Sequence, residues 1–189
     1  MSKSLLKASL LGGLVVFVWG MLSWMALPFH KHCFHQFSDE SRVAAVIKEN
    51  APEKGTYILP YTFDYDENTS KEKARNTVDI MDNGPFVFAS VLPYGMGRSM
   101  AAPLVTSLII QIVGAFLIAW LLSQTKGLKF WQKVRFVTVY GLAVGILGLL
   151  PAWNWLGFSG TYVLVNMADL IISWWLAGLV IAKMLKIAR

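Results

Sequence analysis

Four apolar stretches determine what this chain can fold into, because each is long enough to cross a bilayer as a helix. They run roughly from Ala8 to Leu27, Pro103 to Ser123, Phe136 to Trp153 and Thr161 to Ala182. About 20 helical residues cross a hydrocarbon layer about 30 Å thick. The 189 residues are 56% hydrophobic and only 15% charged, which is unusual for a soluble domain. We therefore predict an all-α integral membrane protein, a bundle of four transmembrane helices.

The charged residues are distributed unevenly between these spans. Residues 1–7, 124–135 and 183–189 together carry nine Lys or Arg and no acidic residue, whereas residues 28–102 carry eight basic and ten acidic residues. Basic segments next to a span stay in the cytoplasm. We predict that both termini are cytoplasmic and that the basic segments contact anionic lipid at the cytoplasmic face. Because the net charge of +6 comes from these membrane-adjacent segments, we expect no nucleic-acid partner.

The predicted organisation follows from the spans and their charges. Lys3 and Lys7 precede the first span as in a signal peptide, but the apolar run is long and SWMALP lacks the small residues of a cleavage site, so we interpret it as an uncleaved anchor. The compactness of the chain favours a bacterial inner (plasma) membrane. The predicted segments are 1–27, cytoplasmic N-terminus and first span; 28–102, extracytoplasmic subdomain; 103–123, second span; 124–135, basic cytoplasmic interfacial segment; 136–153, third span; 154–160, short external loop; 161–182, fourth span; and 183–189, basic cytoplasmic tail.

The insertion between the first two spans is too long for a simple connector and is predicted to be a small α+β extracytoplasmic subdomain. Ser38 is a candidate N-cap of an amphipathic helix that ends before Pro52. The runs TYILPYTF and GPFVFASVLPYG are rich in β-branched and aromatic residues and predict two strands. The polar segment between them could be a hairpin tip, an Ω-like excursion or a second short helix.

Asp169 is the only charged residue between Phe136 and Ala182. A charged side chain near the bilayer centre costs at least about 2.5 kcal/mol, so such residues face protein or water and are usually functional. Polar residues on the same and neighbouring spans could form a buried network with it. The predicted members are Asp169, Asn166, Ser173, Gln111 and Tyr140.

Three roles for this intramembrane network remain open. It could be a structural link between helices, a docking point for a polar or basic residue of a partner's helix, or a relay for a proton or cation in a transporter. The broken helices and paired repeats of many transporters are not evident in the sequence.

A cluster of three histidines and the only cysteine follows the first span. Neutral imidazoles and a thiolate are ligands that zinc and copper prefer, so His30, His32, Cys33 and His35 are a candidate metal site. The spacing opposes it, because a helix places only 30 with 33, or 32 with 35, on one face. The alternative is that these residues form a polar segment at the external surface of the membrane that the helices cross.

The residues indicate no reaction. One cysteine excludes an intramolecular disulfide, and with it the cysteine pairs of claudin-like junction proteins and of disulfide-forming membrane oxidoreductases. We expect an accessory or scaffold subunit that binds a protein partner, or a second copy of itself, through the subdomain and the intramembrane polar face. One alternative is a transporter or channel for a small solute, proton or metal ion that uses Asp169. Another is a membrane-embedded lipid-modifying enzyme, in which the histidines would have to approach the acidic run 64–67.

Overall fold

The computed structural model describes residues 2–64 and 69–185 and is mostly helical, at 71%. Four helices are long and apolar enough to cross a membrane, as predicted: α1 (Lys3–Met25), α4 (Ala101–Ser123), α5 (Phe130–Leu156) and α6 (Gly160–Met184). A 3-10 turn, Phe29–Cys33, follows α1. The insertion contains α2 (Glu40–Asn50), β1 (Gly55–Leu59), α3 (Lys71–Asn83) and β2 (Val87–Val91).

All four long helices begin before their predicted spans, and α5 and α6 also end beyond theirs, whereas α1 ends at Met25, before the predicted end at Leu27. Pro103 lies in the first turn of α4, where its missing N–H costs no internal hydrogen bond. Pro151 lies inside α5, which continues to Leu156, past the predicted end of the third span at Trp153. Gly127 has a positive φ of 71° between α4 and α5, the conformation for which glycine is suited. Segment 124–135 is therefore a turn followed by the start of α5.

The chain forms two compact units, of which the first contains the four long helices and the 3-10 turn. Glycines allow α1 to approach its neighbours closely. A Cβ on Gly13 would lie 2.6 Å from the Cα of Ile112 on α4, and one on Gly12 would lie 2.7 Å from the side chain of Ile181 on α6. Such contacts leave no room for a larger residue, so these glycines serve packing inside one chain.

Glycines also allow α5 to approach α6 closely. A Cβ on Gly141 would lie 2.7 Å from the Cβ of Trp174, and one on Gly145 would lie 2.9 Å from the side chain of Met167. The ammonium of Lys133 donates to the carbonyl oxygen of Leu185 at 3.2 Å, which links the beginning of α5 to the end of α6. The GxxxG pair 141/145 thus packs internally.

Helix α4 is closely packed against its neighbours at one end only. All four buried residues of α4 lie in its second half, from Ala115 to Leu122. They belong to one core with side chains from α1, α5 and α6, whose members include Leu5, Ala8, Val137, Ala177 and Ile181. We call this end, where the chain begins, the closed half, and the other end the open half. The residues of the first half of α4, 101–114, are all at least partly exposed.

The second compact unit contains α2, α3 and an antiparallel pair of strands. The segment between the strands is helical at α3, one of the three alternatives. The N-cap of α2 is Asp39 and not Ser38, because the Asp39 carboxylate accepts a hydrogen bond from the Arg42 backbone N–H at 2.9 Å. The Ser41 hydroxyl and this N–H lower the pKa of Asp39 below its ordinary value of 3.8.

The strand register puts apolar residues on one face of the pair. Leu59 is opposite Val87, Tyr57 is opposite Ala89, and Gly55 is opposite Val91. Cross-strand partners share a face, so these six positions form one face, which we call the apolar sheet face. The other face has one polar pair, Thr56 with Ser90, and one apolar pair, Ile58 with Phe88.

Candidate functional site at Asp169

The Asp169 carboxylate on α6 is bound to α1. Its Oδ1 atom accepts hydrogen bonds from Trp19 Nε1 at 2.7 Å and from Ser23 Oγ at 2.6 Å. Residues 19 and 23 are four apart on α1, so their side chains lie on one helix face and reach the same acceptor. Short hydrogen bonds to a carboxylate are among the stronger ones in proteins. Asp169 therefore joins the first and last helices of the chain.

His30 extends this arrangement. Its Nε2 atom lies 2.8 Å from Ser23 Oγ and 3.7 Å from Asp169 Oδ2. Because the Ser23 hydroxyl hydrogen is directed to Asp169, Nε2 donates to the Ser23 oxygen. The ring is stacked on Trp24 with centroids 4.1 Å apart, and its buried Nδ1 has no partner among the described residues. The result is a hydrogen-bonded chain of His30, Ser23 and Asp169.

These three residue types occur in hydrolases, but their geometry here differs. In a hydrolytic triad the carboxylate orients the second ring nitrogen of the histidine, and the serine hydroxyl reaches the substrate. Here the serine itself donates to the carboxylate, and Ser23 is 0% exposed. The arrangement fixes the positions of α1, the 3-10 turn and α6 and leaves no nucleophile accessible to a substrate.

A cleft of about 350 Å³ lies beside Asp169 in the helical unit. We call it the Asp169 cleft. Its walls come from α1, from the beginning of α4 and from α6, and they include Trp19, Trp24, Leu104, Ser107, Gln111 and Asp169. It occupies the open half, where α4 contributes no fully buried residue.

Two polar side chains of the cleft lack partners. Within residues 2–64 and 69–185, neither Ser107 nor Gln111 forms a hydrogen bond through its side chain. Their spacing of four puts both on the same face of α4. Both side chains are partly exposed, so their polar atoms can bind an occupant of the cleft. The cleft is therefore suited to a polar occupant.

The predicted polar network is placed differently in the structure. Gln111 and Ser173 line the same cleft as Asp169, but the hydroxyl of Ser173 donates to its own helix at Leu170 O. Asn166 also bonds within α6, to Tyr162 O at 2.8 Å. Tyr140 packs edge-on against Trp174. Asp169 instead has its contacts on α1, because α1 packs directly against α6.

The residues that sequence reasoning missed are Trp19 and Ser23, and the role of His30 as their neighbour. A signal was present: Trp19 and Ser23 are two hydrogen-bond donors four residues apart in the first span. Such spacing marks one helix face, but it does not identify which other helix that face meets.

The structure separates the four candidate metal ligands. His30 and Cys33 are buried, whereas His32 and His35 are exposed. In a 3-10 turn, residues three apart are aligned, which directs 30 and 33 the same way. Cys33 Sγ approaches Thr161 O at 3.9 Å, at the beginning of α6. In the part of the chain that the structure describes, no three His, Cys, Asp or Glu side chains are grouped so as to hold zinc, copper or another metal.

The acidic run that the lipid-enzyme hypothesis required is 64–67, of which 65–67 lie outside the described residues. The basic tail 183–189 is likewise described only up to residue 185. Comparisons with protein-family models, with curated proteins and with solved structures find no match for this chain. The function must therefore be inferred from the chain's own residues.

Proposed function

We propose that this protein is a multi-pass accessory or scaffold subunit of a bacterial inner membrane, which binds a partner protein or a second copy of itself through its insertion. The observation that carries the proposal is the apolar surface of the second compact unit. Among the described residues of that unit, only Ala51, Pro60 and Thr77 are buried. Large apolar side chains remain exposed on every element of it.

The exposed apolar residues of this unit are numerous for its size. They include Val46, Ile47, Leu59, Val78, Met81, Phe86, Val87 and Phe88. A two-stranded sheet is marginally stable alone and needs packing on at least one face. Large exposed apolar patches on soluble modules mark protein or membrane contacts. Of the exposed residues, Leu59 and Val87 are cross-strand partners on the apolar sheet face, which we take as the candidate recognition surface.

The charge distribution supports the orientation in this proposal. The nine basic residues of segments 1–7, 124–135 and 183–189 would face the cytoplasm and its anionic lipids, with the insertion on the opposite side. An external module of this kind is placed to contact a partner's extracytoplasmic part.

The experiment removes the apolar character of the proposed surface. Leu59 and Val87 are opposite each other and are 41% and 40% exposed. Leu59→Thr with Val87→Thr makes this face more polar and places threonine, a β-branched strand former, at both positions. We expect native membranes treated with a short crosslinker to yield a discrete larger species with the parent protein and several-fold less of it with the double variant.

The matched control is Thr56→Ala with Ser90→Ala, on the opposite face of the same strands. It should leave the crosslinked species unchanged. Mass spectrometry of the species separates a homo-oligomer from a partner complex. A parent protein that stays monomeric in membranes and in mild detergent, with no crosslinked species, would contradict the proposal.

A further inference from the structure

We infer that the Asp169 cleft binds a lipophilic ammonium ion, with its N–H groups directed to the Asp169 carboxylate and its apolar part along the cleft wall. This site is independent of the partner surface proposed above, since all its residues belong to the helical unit. Three properties of the cleft carry the inference.

The first property is an acceptor without a donor. Oδ1 of Asp169 is occupied by Trp19 and Ser23, but Oδ2 has only His30 Nε2 at 3.7 Å, which is beyond hydrogen-bond distance. No Lys or Arg is among the cleft-lining residues, all of which lie in the described part of the chain. The basic side chain that lies within 4.0 Å of the Asp169 carboxylate among the described residues is His30, whose Nε2 already donates to Ser23 Oγ. A carboxylate placed in this way in an apolar wall attracts a cation and repels an anion.

The second property is the pair of unpartnered polar groups on α4. An ammonium ion of a primary amine has three N–H donors. The carboxylate oxygen of Asp169, the amide oxygen of Gln111 and the hydroxyl oxygen of Ser107 all line the same cleft and all can accept a hydrogen bond. The number and type of acceptors therefore match a primary ammonium group better than a hydroxyl group, which has one donor.

The third property is the remaining surface. Trp19 and Trp24 supply indole rings, which attract cations more strongly than other aromatic side chains do. Val16, Phe17, Leu104 and Leu170 supply apolar wall. The volume of about 350 Å³ is in the range of small-ligand sites, about 300–1,000 Å³, and is too small for a helix. The ligand should thus carry a short hydrocarbon part.

A metal ion fits this site less well. Apart from Asp169 the cleft contains no carboxylate, and within the described residues no three side chains of the usual ligand types are grouped. An ammonium ligand could be a free amphiphilic amine or the headgroup of phosphatidylethanolamine. Both present the same N–H donors, so the experiment has to separate them.

The test uses the purified full-length chain in nanodiscs of phosphatidylcholine, whose quaternary ammonium has no N–H donor. Binding of radiolabelled octylamine is measured by equilibrium dialysis, with empty nanodiscs subtracted, and octanol serves as the neutral analogue. We expect saturable one-to-one binding of octylamine and at least about tenfold weaker binding of octanol, since a hydrogen bond to a charged group is lost.

The variants avoid the Asp169 contacts with α1, whose loss could unfold the bundle. Ser107→Ala with Gln111→Leu should weaken octylamine binding about tenfold or more, and Leu104→Trp should abolish it by filling the cleft. The control is Thr106→Val, next to Ser107 on α4 but outside the cleft, which should bind as the parent does.

The lipid source is separated by adding phosphatidylethanolamine to the nanodiscs. A fall in octylamine affinity that grows with its content would identify the headgroup as the occupant, and unchanged affinity would identify a free amine. Equal affinity for octanol and octylamine, absence of saturable binding, or parent-like binding by Leu104→Trp would each overturn the inference.

Discussion

At the scale of single residues, Ser23 has more contacts than its size indicates. Its hydroxyl group donates to Asp169 on α6 and accepts from His30 in the 3-10 turn, and it is fully buried. Replacing it by alanine would leave Asp169 with Trp19 as its one hydrogen-bonded partner among the described residues, and both nitrogens of His30 without one. One small side chain thus connects three segments of the helical unit.

We expect Ser23→Ala to lower the free energy of unfolding by about 1–2 kcal/mol, since hydrogen bonds between membrane helices average about 0.6 kcal/mol and two contacts are lost. The measurement is unfolding in mixed micelles of maltoside and dodecyl sulfate, followed by tryptophan fluorescence.

Ser9→Ala is the matched control for this prediction. Ser9 is also buried in α1, but its hydroxyl donates to Leu5 O in the same helix. Such bonds within a helix contribute little, so its stability should be close to that of the parent. Equal losses in the two variants would show that the Ser23 contacts are not stabilising.

Asp169 could be predicted from the sequence as a site residue, whereas its hydrogen-bond partners could not. The importance of Asp169 could be predicted, because a charged residue in an apolar span has to face protein or water. Its partners were not, because periodicity identifies the face of a helix but not the helix that it meets. For the same reason the predicted partners Gln111 and Tyr140 were chosen by residue type and depth alone.

At the scale of the elements, the packing of α1 depends on glycine. We expect Gly13→Ala to destabilise the bundle by about 1–3 kcal/mol, because the added methyl group would lie 2.6 Å from backbone of α4 and the helices would have to separate. The same unfolding measurement applies.

Gly20→Ala provides the comparison on the same helix. A Cβ at Gly20 meets nothing within 4 Å. Alanine also restricts the unfolded chain, so this variant should be unchanged or up to about 1 kcal/mol more stable. A loss at Gly20 as large as that at Gly13 would indicate that helix propensity, and not the contact between α1 and α4, sets the effect.

Element types were largely predictable, and element ends were less so. The four apolar helices and both strands follow from composition and periodicity. The continuation of α5 from Trp153 to Leu156 was not predicted, since proline usually ends a helix and Pro151 lies just before. The cap at Asp39 lies one residue from the predicted position, because Ser and Asp are both good N-caps and adjacent candidates differ only in backbone geometry.

At the scale of the whole molecule, the orientation in the membrane can be tested with single cysteines. Cys33 is 7% exposed, so the parent should give little background labelling. We expect Lys54→Cys to react with a membrane-impermeant maleimide on intact cells, because the insertion is proposed to be external. Lys126→Cys should react only after permeabilisation, because its segment is basic and proposed to be cytoplasmic.

Both lysines are exposed in the structure, so the comparison measures sidedness and not burial. Labelling of Lys126→Cys on intact cells, together with protection of Lys54→Cys, would reverse the proposed orientation. The charges on which this prediction depends are visible in the sequence alone, as is the existence of a long insertion between the first two spans. The exposed apolar surface of that module is a property of the fold.

The close packing of the closed half affects whether a molecule in the Asp169 cleft can pass through the helical unit. The Asp169 cleft reaches Val16 and Gln111, and beyond it lie side chains such as Ala115, Ile118 and Ile181, which are 0% exposed. In this conformation the packed side chains of the closed half offer the cleft no continuation in that direction. We expect a molecule bound in the cleft to leave without crossing the closed half, and a transport cycle would require the closed half to come apart.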